Sequence, residues 1–335
     1  MKTFYKITLF CAMLFSVSNV VAQMTRDEGI ERYRQAKYSE AISILQRLSK
    51  QKETKKDAMV WNYLGLSYLE SGELKKARKA LEKAVGLNPQ SSAFRTNLGY
   101  ALLLNRKIDS AQSESAKAIQ LDPQNTGAYY VRGTARIWEG KYADALADAE
   151  KMISLDRNDS SAYTLKSNAL VYIFGEKVAA GSTAKVEIEY LDQSVAALEY
   201  CLQYCKNNRS LALQKEKLEA LSAFQKYFNR AKVENPSLID AVGTGENKTR
   251  LNVLSKPQAK YTDKARRSGI SGTVKLYVLF AASGKITHII QLNSLGYGLD
   301  EQALNAARQI KFEPAQENGQ PVSVVKMVHY MFTIY

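Results

Sequence analysis

Proline, histidine and cysteine are scarce in this chain, and each scarcity narrows what it can be. There are 6 prolines among 335 residues, about 2% against a usual ~5%. A proline-rich spacer of any length is therefore excluded, and long uninterrupted helices are favoured. Two histidines and three cysteines are too few for a zinc or haem site assembled from several of them. No metal and no cofactor is expected. His288 and His329 stand in strand-like stretches with no acid or nucleophile patterned around them, so no catalytic residue is assigned. Beyond the N-terminal stretch, no apolar run reaches the roughly 20 residues a membrane span needs.

What remains is typical of a folded protein. Hydrophobic residues make up 45% and charged residues 24%, which excludes wholesale disorder. At roughly 150 residues per domain, the length predicts about two domains. Lys+Arg is 47 and Asp+Glu is 33, for a net charge of +14. Such a balance suits anionic partners without choosing among them.

The N-terminus bears on the compartment. Lys2 and Lys6 precede a mostly apolar run from Ile7 to Val21, and small residues stand at Val20-Val21-Ala22. This reads as a signal peptide over 1–22, cut between Ala22 and Gln23. The run is short for a span, and Ser16, Ser18 and Asn19 weaken its end. The signal resembles a bacterial one, which places the mature chain in the periplasm. The alternative is an uncleaved segment anchoring the chain in the inner membrane; a membrane is a partner only in that case. Export argues against nucleic acid as the reason for the positive charge.

A 34-residue period follows. Leu64-Gly65, Gly72, Ala77, Leu81, Ala84 and Pro89 are echoed by Leu98-Gly99, Ala111, Ala118 and Pro123, then by Gly133, Gly140, Ala145 and Met152. Glycine inside a helix costs about 1 kcal/mol relative to alanine, a cost tolerated where another helix must come close. The pattern resembles the tetratricopeptide repeat, two antiparallel helices per unit. Units are clear at 58–91, 92–125 and 126–159, and degenerate at 24–57 and 160–208, the last with an insertion near 175–185. A helical stretch at 209–232 is expected to cap the array, so the repeat region spans 24–232. Cys201 and Cys205 lie four apart on a predicted helix, where a bridge would strain disulfide geometry, so thiols are expected.

The resemblance implies a concave groove lined by the first helix of each unit. The matching positions are Asn62, Leu66, Leu69, Thr96, Tyr100, Leu103, Tyr130, Thr134, Ile137 and Asn168. None is basic, which argues against a carboxylate clamp and for an extended or helical protein segment held by side-chain burial. The competing reading is that the aliphatic positions merely pack between helices.

From 233 to 255 the helical period is lost around Pro236, Gly243 and Gly245, and the stretch reads as a linker. GTGENKT at 243–249 fails as a phosphate loop, because Asn247 precedes Lys248 and no apolar strand leads into it. Beyond it, Val274, Leu276, Val278 and Phe280 alternate on one strand face. Ser283-Gly284 turns into a second strand, Lys285 to Asn293. Leu299 to Gln309 reads as a helix, Asn318-Gly319 as a turn, Val322 to Tyr335 as a long last strand, and Tyr261 to Ser268 as a short helix. The predicted fold is an all-α repeat solenoid followed by a small α+β domain over 256–335.

Ala265-Arg266-Arg267, Gly269, Gly272-Thr-Val274, Ser283-Gly284-Lys-Ile286, Leu299-Asp300, Phe312-Glu-Pro314-Ala315 and Gly319-Gln-Pro321-Val322 together resemble the C-terminal domain of TonB, the periplasmic end of a bacterial energy transducer. One position departs: Tyr261-Thr262 stands where the family has Tyr-Pro. The resemblance implies strand addition, in which an extended segment of an outer-membrane transporter pairs with a sheet edge. The candidate edge is the last strand, with Val324, Val325, Lys326, Met327, Val328, His329 and Tyr330. The residues from 248 onward hold twelve Lys/Arg against five Asp/Glu, +7, in keeping with an acidic partner. The expected function is a non-catalytic periplasmic adaptor with two protein-binding parts, linked to transport across the envelope. The alternative is a membrane-anchored energy transducer, which needs a complete span and a spacer.

Overall fold

The computed structural model describes residues 25–179, 184–204, 211–234 and 248–334. The signal-peptide reading, Cys205 and most of the 233–255 stretch lie outside them. Two compact units divide inside one helix, Met1–Ala135 and Arg136–Tyr335.

In the first unit, helices α1 (25–34), α2 (Tyr38–Leu48), α3 (Ala58–Glu70), α4 (Leu74–Leu87), α5 (Ser92–Leu104) and α6 (Ile108–Leu121) lead into α7 (Thr126–Trp138). The period is written in the caps as well as in the core. Asp57 accepts from Met59 N at 2.9 Å, Ser91 from Phe94 N at 3.2 Å, and Asn125 from Ala128 N at 3.1 Å. Asp159 repeats the bond with Ser161 N at 2.9 Å, in the second unit. Each satisfies an amide that the helix start leaves orphaned. Four residues into each of these helices a side chain donates back to the carbonyl six residues earlier: Trp61 to Lys55, Arg95 to Pro89, Tyr129 to Pro123 and Tyr163 to Arg157. The turn within each pair needs a left-handed residue. Gly72 and Gly140 supply it with φ of 76° and 79°, whereas Ala36 and Arg106 adopt 58° and 60° at a steric cost. Close approach explains Gly65: a Cβ there would lie 2.5 Å from Leu81 Cγ and 3.2 Å from Ala77 O. Leu45, Leu48, Val60, Leu64, Tyr68 and Ala77 form the apolar seam of the first pairs.

The second unit begins at Arg136, whose guanidinium meets the buried Asp148 of α8 (Tyr142–Leu155) at 2.6 Å. Helices α9 (Ser160–Ala179), α10 (Ala184–Tyr204) and α11 (Leu211–Glu234) follow. The insertion predicted near 175–185 accompanies two unusually long helices, α9 and α10. Ser167 and Ser194 hydrogen-bond across their buried contact at 2.8 Å. Then come β1 (Lys248–Thr249), β2 (Asn252–Ser255), α12 (Asp263–Arg267), β3 (Gly272–Phe280), β4 (Ile286–Gln291), α13 (Leu299–Arg308), β5 (Lys311–Glu313), β6 (Ala315–Glu317), β7 (Gln320–Val322) and β8 (Val324–Phe332). Strands pair antiparallel in the orders β4-β3-β8, β1-β6-β7 and β2-β5.

Three sequence expectations change here. Residues 248–255, read as linker, are strands: β1 pairs with β6, β2 with β5, and Leu251 is buried between them. Short strands carry too little periodicity to be seen in sequence. The long last strand is two, because Val322 belongs to β7 and the chain breaks at Ser323, whose hydroxyl accepts from Ala282 N at 3.0 Å. And the stretch predicted as a cap does more than close the helical array: α11 lies on the sheet.

That sheet is buried on both faces. Val274, Leu276, Val278, Phe280, Val324, Val328, Tyr330 and Phe332 point towards α13, joining Leu299, Ala303 and Ala307. The opposite parity, Tyr277, Ile290, Leu292 and Val325, joins Val171, Phe174, Leu191, Leu221, Phe224 and Phe228 of α9–α11. Gly175 marks how close the layers come, since a Cβ there would lie 2.8 Å from Leu292 Cβ and 2.9 Å from its carbonyl oxygen. The sequence boundary at 233–255 thus runs through a shared apolar layer, and the compact units divide at Ala135/Arg136 instead.

Candidate functional site

β8 pairs with β3 on one side only, so its other side is a sheet edge among the described residues. Within a strand, one residue's N–H and C=O point to the same side, and successive residues alternate. Lys256 Nζ donates to His329 O at 2.8 Å, which identifies the odd-numbered residues as those facing away from β3. A second bond agrees. The Tyr227 phenol is pushed up by burial, and a hydrogen bond from the Val325 backbone pulls the other way, as a donated N–H does. Val325 is therefore capped by α11, and the outward groups of Met327, His329 and Met331 form the remaining edge.

Beside that edge lies a groove of about 1150 Å³, walled by residues 256–261, Arg266 and residues 329–334. Lys256 Nζ sits 4.9 Å from the centre of the Tyr330 ring, and the Arg266 guanidinium 5.7 Å from that of Tyr261. His329 is pushed down, first by burial and then by Lys275 and Lys256, so it is neutral at pH 7. Burial pushes the Tyr330 phenol up to about 12, and its buried hydroxyl has no hydrogen-bond partner among the described residues. Met331 and Ile334 are exposed large apolar side chains at the groove. Positive charge, exposed apolar side chains and unpaired backbone are what an extended acidic or apolar segment would use.

The groove wall is set locally. Thr262 caps α12 by accepting from Ala265 N at 3.2 Å and donates to Tyr297 O at 2.7 Å. Proline could do neither, which is the physical meaning of the departure at this position. Tyr261 donates to Ile270 O and stacks edge-on against Phe332 at 5.9 Å.

Seven edge candidates divide by parity. Val324, Lys326, Val328 and Tyr330 turn their backbone groups towards β3, whereas Val325, Met327 and His329 turn theirs outward. The side chains of Val325 and Met327 pack on α9–α11, because the alternating apolar positions of the strand serve a second buried layer.

The repeat candidates divide as well. In the first unit Asn62 and Leu103 are buried. Asn62 accepts from Asn97 Nδ2 at 2.9 Å, and Leu103 serves packing. Thr96 donates to Ser92 O at 3.0 Å and accepts from Asn125 Nδ2 at 2.9 Å, so its hydroxyl is committed to the repeat frame. Thr134 similarly donates to Tyr130 O at 2.8 Å. Leu66, Leu69 and Tyr130 are half-buried, and Tyr100 is exposed. Burial pushes the Tyr100 phenol up, and the charges of Tyr130 and Glu70 add to it. In the second unit Ile137 is buried, and Asn168 accepts from Lys217 Nζ at 2.5 Å. Of the ten, Tyr100, with Tyr130, Leu66 and Leu69, has surface to offer. The 34-residue caps, one of which commits Thr96, were legible as Asp57, Ser91, Asn125 and Asp159, a signal the apolar periodicity does not carry.

No cluster of acidic, histidine or cysteine side chains among the described residues could hold a metal ion. Cys201 is buried, its sulfur 3.5 Å from Gln214 Oε1. No helix among them is long and apolar enough to cross a membrane.

Two family models match. Residues 257–334 match the Gram-negative bacterial TonB protein C-terminal family, and residues 26–92 match the tetratricopeptide repeat. The chain therefore carries tetratricopeptide repeats and a TonB C-terminal domain. Solved structures with likeness include "Crystal structure of MamA", at 22% identity, 52% of this chain, 97% of that one and a TM-score of 0.44. "Crystal structure of TTC0263", a thermophilic repeat protein of Thermus thermophilus, gives 17% identity, 59% and 98% coverage, and a TM-score of 0.47. "Arabidopsis OM64 TPR domain" gives 25% identity, 33% and 93% coverage, and 0.33. At TM-scores below 0.5 these likenesses place no residue of the present chain. No curated protein matches the chain.

Proposed function

We propose that the protein is a non-catalytic adaptor of the bacterial envelope, exported to the periplasm. Its repeats hold one protein partner, and the edge of β8 takes an extended segment of another, an outer-membrane transporter. Both modules are interaction modules in kind, and a TonB-type domain suits a role at the envelope. The observation that carries the reading is the half-free edge of β8, with outward backbone groups at Met327, His329 and Met331 beside a cationic groove. On pairing, the incoming strand replaces the Lys256 ammonium at His329 O, which frees that charge for an acidic side chain of the partner.

The experiment is calorimetry of the full chain against peptides from outer-membrane transporters. Main-chain pairing requires alternate amides of the peptide. N-methylating the alternate set that faces β8 is expected to weaken binding at least tenfold, and N-methylating the other set to leave it unchanged. Met327→Pro removes an outward donor that β3 does not use and is expected to act like the first set, with an unchanged circular-dichroism spectrum. Indifference to both methylation sets, or binding of none of the peptides, contradicts the reading.

A further inference from the structure

Between α9, α11, β4 and α13 lies a cavity of about 310 Å³. Of the ten repeat positions it takes in only Asn168, and it is separate from the β8 edge. Into it projects Lys217 of α11, partly buried, with Nζ donating to Asn168 Oδ1 at 2.5 Å. That is its one hydrogen bond among the described residues, and its acceptor is neutral.

The charges facing it are few. Glu216, on the same helix, is largely exposed and pairs with the exposed Arg308 of α13 at 3.7 Å. On α9 the Tyr172 phenol is pushed up by burial and stays neutral. β4 contributes Ile289, Ile290 and Gln291, none of them titratable. Among the described residues, burial alone acts on the Lys217 ammonium and pushes it down to about 7; no carboxylate there counters it.

A lysine held by one amide is a poor structural element. Its stem could carry the charge out to water, and a neutral glutamine could serve Asn168 without burying a cation. An uncompensated cation facing a cavity is better matched by an anion that enters from solvent. The opposing walls are apolar, with Val171, Leu221, Ile290 and Leu304. The volume holds roughly ten water-sized groups at about 30 Å³ each.

We propose that this cavity binds a small monocarboxylate with a short apolar body, its carboxylate on Lys217 Nζ and its body against the apolar walls. Arg308 at the rim favours the entering anion. A ligand seated here touches α9 and α11 on one side and β4 and α13 on the other, and so bears on how firmly the sheet is held.

The test uses the full chain with benzoate and hexanoate as probes and benzamide as the neutral isostere. Calorimetry at pH 6.5 is expected to show one saturable site for a carboxylate, with benzamide at least tenfold weaker. Affinity is expected to fall at least tenfold between pH 6.5 and pH 9, because the anion binds the charged lysine, and binding at pH 8 should take up protons. Lys217→Met is expected to lose at least tenfold in affinity while staying folded, with an unfolding midpoint no lower than that of the unsubstituted chain. Ala220→Leu, which fills the cavity, is a second variant expected to abolish binding. The proposal is overturned if neither carboxylate saturates a site, if benzamide binds as well as benzoate, or if a folded Lys217→Met or Ala220→Leu chain binds benzoate like the unsubstituted one.

Discussion

Replacing Phe224 by alanine tests whether the last helices and the C-terminal sheet are one cooperative body. Phe224 is fully buried, and its ring centre lies 6.3 Å from that of Tyr277 on β3 and 6.5 Å from that of Phe228. Truncating a buried phenylalanine costs about 3–5 kcal/mol, the lost transfer energy plus the cavity left behind. The ring contacts with Tyr277 and Phe228 place this site near the middle of that range, about 4 kcal/mol. In a unit of this size each kcal/mol lowers the midpoint by roughly 2–4 °C, so a drop of about 8–16 °C is expected. Hydrogen exchange read by mass spectrometry then separates the possibilities. If α9–α11 and the sheet share one opening, amides over 214–228 and over 273–280 lose the same protection in the variant. If the helices loosen while β3 and β8 keep their protection, the sheet is stable by itself, and the two-sided burial is only a docking contact.

Two further outcomes follow from single residues. With its folded value near 7 and an ordinary unfolded value, Lys217 binds fewer protons in the native state than in the unfolded one. Stability therefore rises with pH between about 7 and 10.5, and Lys217→Met should remove that rise and add roughly 2 kcal/mol at pH 7, as denaturant titrations at several pH values would show. Ala36 is the alanine counterpart of Gly72 and Gly140 in a left-handed turn. Ala36→Gly should stabilise by about 0.5 kcal/mol, the relieved strain less the added freedom of the unfolded chain, measured as a raised denaturation midpoint.

Much of this fold was legible because the signals are periodic. Gly65 and Ala77 recur at 34 residues because helices must approach there, and the alternation of Val274, Leu276, Val278 and Phe280 marks a strand with one buried face. The second buried face was also written in the sequence, in Tyr277, Leu279, Val325 and Met327, yet an apolar residue at every position of a short run does not say what covers it. Helix α11 supplies the cover, and only tertiary packing could reveal that. β1, β2, β5, β6 and β7 are two to four residues long, below the length at which a period can be counted. The edge of β8 was expected from the resemblance, but which half is free depends on Tyr227, about 100 residues earlier in the chain. The repeat positions were named by register alone. Asn62, Thr96, Leu103 and Ile137 turned out to be committed to caps and packing, because register does not distinguish a groove from the seam beneath it.

The most direct test of the account is residue-resolved amide exchange of β8, with and without a bound transporter peptide. Paired outward amides should gain protection at Met327, His329 and Met331. Val325, already capped by Tyr227, should change little, and the even-numbered amides facing β3 should not change. Protection spread evenly along β8, or confined to the repeats with β8 untouched, would contradict strand addition at this edge.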